Sequence, residues 1–156
     1  MYLTQNMNAF DLFSPAYIKN EDIDEILNGE LAAVRAYDQI EKIFDSNLAI
    51  KQIKNIKLEH QQAVNFWRNQ ADISGFYTEE STSMWGIAVD TLIWISKLMG
   101  ENTAIKVLIM GEEYGLENYK KKLQSDSLCR TQKLKITNHF IPTQENHIDA
   151  LKELIH

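Results

Sequence analysis

Leu27–Tyr37, LNGELAAVRAY, and Leu108–Tyr119, LIMGEEYGLENY, decide how this chain is read. Each places a Glu inside an apolar helical stripe and a Tyr seven residues later: Glu30 with Tyr37, Glu112 with Tyr119. Seven residues turn an α-helix through about 700°, so each Glu and its Tyr share a face, roughly 10.5 Å apart. The flanking stripes are Ile23, Ile26, Leu27, Val34 and Phe44 in the first copy, and Ile105, Ile109, Leu116 and Leu123 in the second. Both glutamates are therefore expected to point toward the core. A carboxylate there is costly unless it is paired, hydrogen-bonded, protonated or metal-bound.

The chain around these stretches has 156 residues, the size of one domain with a substantial core. Its net charge of −6 argues against non-specific nucleic-acid binding, which needs a basic surface. The one basic run, Lys120–Lys122, closes a predicted helix and reads as a solvated face favourable to the helix dipole. Cys129, the single cysteine, cannot form an internal disulfide and reads as a packed or half-exposed thiol. The N-terminus lacks the basic and apolar regions of a signal peptide. The most apolar stretch, Trp85–Met99, contains Asp90 and Lys97 and is too short to span a bilayer. A cytoplasmic location with no membrane partner is expected.

Residues 1–20 show no clear period and read as an arm laid on a single domain spanning 1–156. Asn20 followed by Glu21, Asp22 and Asp24 marks a helix start, a capping side chain with acids in the first turn. This helix A is predicted to reach Phe44, with a turn at Asp45-Ser46-Asn47. Helix B covers about Leu48–Ile73 and carries the stripe Ile53, Ile56, His60, Ala63, Val64 and Trp67, so His60 faces inward. The short A–B connection makes the two antiparallel neighbours. A crossover over 74–101 contains the apolar helix at Trp85–Met99. Helix C starts at Asn102-Thr103 and continues to about Gln124. Helix D takes the remainder, with Phe140, Gln144, His147, Leu151 and Leu154 on one stripe. Pro142 inside that pattern should kink helix D or mark its true start. The expected architecture is all-α: two antiparallel helix pairs joined by a long crossover, one way to close a four-helix bundle.

Each pair then holds the same inventory, Glu30, Tyr37 and His60 in the first, Glu112, Tyr119 and His147 in the second. Here the chain resembles the ferritin-like superfamily of the bacterioferritin and rubrerythrin kind. That family takes a Glu from helices A and C and Glu-x-x-His from B and D. Glu30/Tyr37 and Glu112/Tyr119 match its Glu-x6-Tyr pattern, and His60 and His147 fall at its His positions. LNGELAAVRAY, LEHQQAV, the Ser-Met-Trp-Gly start of the crossover, GEEYGLENY and PTQENHIDAL are similar to one bacterial domain-of-unknown-function family of ferritin-like bundles, over residues 22 to 155. The resemblance implies a metal site at Glu30, His60, Glu112 and His147.

The sequence departs from that family at the carboxylates three residues before each His, where Lys57 and Gln144 stand. An inward Lys would repel a dication, and an amide oxygen is a poor bridge. The complete di-iron site is therefore absent. Two readings stay open. In one, a reduced site of Glu30, His60, Glu112 and His147 binds one or two ions of Fe, Mn or Zn. Glu59, Glu113 and Glu145 on the helix flanks would act as extra ligands or hydrogen-bond acceptors. In the other, no metal binds, the same residues form a buried hydrogen-bond network with Lys57 as a salt-bridge partner, and the protein works by self-association or partner binding through the crossover helix. In both, helices A and C run antiparallel, and each Tyr hydroxyl approaches the Glu of the opposite helix. His139 and His156 are expected to be solvated, and Trp67 and Phe66 to pack in the core.

Overall fold

The structure, a computed structural model, describes residues 20–76, 78 and 99–155. The expected arm over 1–19 and most of the crossover, including Trp85, Asp90 and Trp94, lie outside the described residues. Every regular element among the described residues is helical: α1 (Glu21–Ile40) with a 3-10 turn (Glu41–Ile43), α2 (Asn47–Ser74), α3 (Glu101–Lys122), α4 (Arg130–Lys135), a π segment (Ile136–Phe140) and α5 (Ile141–Lys152). No described helix is long and apolar enough to cross a membrane.

Local chemistry sets the boundaries. Asn20 Oδ1 accepts from the Asp22 and Ile23 amides, both at 3.1 Å, capping α1 as its sequence requires. Helix A stops short of its expected end: the 3-10 turn intervenes and Phe44 is extended, which turns its ring into the core. α2 ends at Gly75, whose φ of 68° is open to glycine without strain, and the Phe76 amide closes back on the Ala71 carbonyl at 2.9 Å. Pro142 stands in the first turn of α5, as a start marker would, but α5 follows directly on a π segment. The π segment immediately precedes the proline, which has no N–H for an i−4 bond, and the helix continues through it from Arg130. The wider turn also keeps Gln132, Ile136, Phe140 and Gln144, each four apart, on the buried face.

Two apolar cores form, and every long helix passes from one to the other. One gathers Ile23, Ile26 and Leu27 of α1, Val64 and Trp67 of α2, Tyr119, Ile136 and Phe140. The second gathers Tyr37 and Ile40, Ile53 and Ile56, Ile105 and Leu108, Ile148 and Leu151. Between them each helix carries its polar residues: Glu30 in α1, His60 in α2, Glu112 in α3, Gln144 and His147 in α5. The order of crossing makes α1 and α5 run one way, α2 and α3 the other.

Lys120 and Lys121 are exposed, as expected of the basic run, but Lys122 is not. Its side chain is only 5% exposed and its Nζ meets Asp22 Oδ1 at 2.6 Å and the Glu25 carboxylate. Asp22 also accepts from the Ser125 and Ser127 hydroxyls, and Asn20 Nδ2 donates to the Ser127 carbonyl at 3.1 Å. The start of α1 is thereby tied to the end of α3 and the turn beyond it.

Candidate metal centre

Glu30, His60, Glu112 and His147, at the level between the cores, form an alternating chain that Glu59 extends. Glu30 Oε2 lies 2.7 Å from His60 Nδ1, and His60 Nε2 lies 2.9 Å from Glu112 Oε1. Glu112 Oε2 lies 3.1 Å from His147 Nδ1, and His147 Nε2 lies 3.1 Å from Glu59 Oε2. Carboxylate, imidazole, carboxylate, imidazole, carboxylate follow one another from α1 to the surface of α2. Glu30, His60, Glu112 and His147 are buried, whereas the Glu59 side chain is 48% exposed.

The tyrosines bind across the molecule as antiparallel α1 and α3 require. Tyr37 donates to Glu112 Oε1, and Tyr119 donates to Glu30 Oε1 at 2.5 Å. The two are not equivalent. Trp67 Nε1 donates to the Tyr119 hydroxyl at 3.1 Å, and the Tyr119 ring stacks on Phe140 at 5.1 Å. Trp67 is core packing, as its stripe implies, and more: its indole N–H needs an acceptor when buried, and the tyrosine supplies it.

Charge follows from this packing. Burial works against a proton on His60, but Glu112 and Glu30 at its two ring nitrogens outweigh it, and its pKa is pushed up to about 10. Burial would raise Glu112, but His60 and His147 hold it well below the usual carboxylate range. Burial and the adjacent carboxylates, Glu112 for Tyr37 and Glu30 for Tyr119, push both phenols up, so they donate and stay neutral.

His60, Glu112 and His147 each offer a ligand atom, all within 4.8 Å of one another, and could hold a metal ion. Glu30 stands outside this group, on the far nitrogen of His60, and Glu59 takes the matching place on His147. Lys57 does not face the site as expected. Its Nζ lies 2.8 Å from Glu41 and 3.3 Å from Asp38, because the end of α1 and the 3-10 turn after it offer two carboxylates with easier access to water. Glu113 and Glu145 stand exposed and take no place among the site's hydrogen bonds.

Gln144 is buried beside the site, and its Oε1 has no hydrogen-bond partner among the described residues. Gly115 makes its position possible, since a Cβ there would meet Gln144 Nε2 at 2.5 Å. Sequence reasoning missed Gly115, although a glycine inside a helix stripe is itself a signal of close approach. His139 is exposed as expected and stands at the rim of a cavity of about 430 Å³ between α2 and the π–α5 helix. A second cavity of about 470 Å³, mostly apolar, reaches Glu30, His60 and Glu112 from between α1 and α3.

No family model, curated protein or solved structure matches this chain.

Proposed function

We propose that this chain is a ferritin-like four-helix protein that binds one transition-metal dication, Fe, Mn or Zn, at His60, Glu112 and His147. The carrying observation is the convergence of three buried ligand side chains from three helices, with ligand atoms within 4.8 Å. Two imidazoles and a carboxylate are a donor set suited to these ions. Each imidazole also has its other nitrogen on an outer carboxylate, Glu30 for His60 and Glu59 for His147. Such partners fix ring orientation and raise ligand basicity in metal sites. Lys57, turned to Glu41 and Asp38, puts no ammonium beside the ion.

The ferritin-like assignment draws support from the helix directions, with α1 and α5 opposed to α2 and α3. It draws further support from the Tyr37–Glu112 and Tyr119–Glu30 exchange across antiparallel helices. Gln144 at a position where that family places a bridging carboxylate favours one ion over two. When bound, the ion supplies Lewis acidity and, for Fe or Mn, redox chemistry. Glu30 and Glu59 position the imidazoles, and Tyr119 and Tyr37 hold the carboxylates.

Untagged protein, stripped with chelator and dialysed against Zn, Mn or Fe(II), should retain one ion per chain by elemental analysis. His147→Ala should abolish retention, and Glu59→Gln should weaken it by about 10- to 100-fold. Wild-type protein that retains none of the three metals overturns the proposal. It would leave the alternating chain as a structural hydrogen-bond network, a role favoured by the pairing of both nitrogens of each imidazole.

A further inference from the structure

The geometry points to a second binding site, for a short alkylammonium ion, in the cavity between α2 and the π–α5 helix. Its volume of about 430 Å³ falls in the range of small-molecule pockets and exceeds a single water many-fold. From α2 its lining takes Leu58, Glu59, His60 and Ala63. From the π–α5 helix it takes Phe140, Thr143, Gln144 and His147.

Gln144 supplies the observation that calls for a ligand. The residue is 5% exposed, its Nε2 is turned against Gly115, and its Oε1 accepts nothing among the described residues. A buried acceptor without a donor costs about 1–3 kcal/mol, so the site favours a partner that donates. Glu59, half-exposed and lining the same cavity from α2, uses Oε2 toward His147 and adds negative charge. Among the described residues no lysine or arginine lines the cavity, so a carboxylate or phosphate has no counter-charge from them beyond the histidines already held by Glu30, Glu112 and Glu59. An ammonium group satisfies this lining: one N–H donates to Gln144 Oε1 and another to Glu59, while a short alkyl tail covers Phe140, Ala63 and Leu58. The cavity borders the metal position, since His60 and His147 also line it, but its anchor Gln144 is outside the ligand set His60, Glu112 and His147.

The test is calorimetric titration of the chelator-treated full chain with n-butylammonium chloride at constant ionic strength, beside potassium butyrate and 1-butanol. Saturable one-to-one binding of butylammonium is expected, with butanol weaker and butyrate inert. Gln144→Leu should weaken binding at least tenfold while leaving the melting temperature unchanged or higher, since it removes an unpartnered acceptor. Thr143→Phe should block the cavity from its partly exposed rim, and Gly115→Ala should weaken binding by displacing the amide. Absence of saturable butylammonium binding, or binding indifferent to Gln144→Leu in a variant that melts like wild type, overturns the assignment. Butyrate binding as tightly as butylammonium overturns the charge argument. Zinc retention is measured on the same preparation, so loss of this site and loss of the metal site are separately visible.

Discussion

Tyr119 shows how much one hydroxyl can organise. It donates to Glu30 and accepts from Trp67, so Tyr119→Phe leaves two buried groups short of a partner. Tyr37→Phe removes one donor, that to Glu112. Each loss should cost about 1–3 kcal/mol, with Tyr119→Phe the larger. Urea unfolding of the two variants in metal-free protein checks this, and equal costs would show that the Trp67 bond contributes nothing. The Glu–Tyr spacing was legible in the sequence because seven residues fix a shared helix face. Its crosswise use followed from antiparallel packing. The destination of Lys57 was not legible. A flexible four-carbon stem reaches whichever carboxylate has the lower desolvation cost, and Asp38 and Glu41, at the end of α1 and in the 3-10 turn after it, are chosen by packing, not by spacing.

Gly75, Gly29 and Gly111 occupy two different environments, a left-handed cap and an open helix interior. Gly75 ends α2 at φ 68°, so Gly75→Ala should destabilise by about 1 kcal/mol despite open space around it. Gly29 and Gly111 lie inside α1 and α3 with open space where a methyl group would stand, so Gly29→Ala and Gly111→Ala should stabilise by about 0.5–1 kcal/mol each. Thermal melts read both signs, and a stabilising Gly75→Ala would contradict the left-handed cap. The helices themselves were readable to within a few residues, from caps and stripes. The π segment was not, since Pro142 signals a broken bond but not whether the chain kinks, starts afresh or widens a turn.

For the whole molecule, the tie between the start of α1 and the end of α3 sets an acid sensitivity. Burial would raise the Asp22 carboxyl, but Lys122, Ser125 and Ser127 bring it down to about 2. A depressed folded-state pKa contributes stability that is complete above the unfolded value of about 3.9 and is lost as pH falls toward the folded value. Wild type should therefore lose stability between about pH 4 and 2 more steeply than Asp22→Asn. Asp22→Asn should also be the less stable at neutral pH, where Lys122 loses a partner. Urea midpoints across that range decide it, and parallel curves would remove Asp22 from the acid response. The sequence pattern placed Lys122 in water because a run of three lysines at a helix end usually is; only the approach of α1 encloses the last of them.

The sequence by itself determined that the described chain is helical, where its first three long helices run to within a few residues, and that Glu30, His60, Glu112 and His147 face inward. Those properties are local: propensity, capping and a period of 3.6 act within one helix. Which of those groups converge was decided only when the helices packed. Glu112 meets both imidazoles, while Glu30 and Glu59 take the outer nitrogens. Contact between helices depends on their rotation and offset, and those are settled by how the two apolar cores fill.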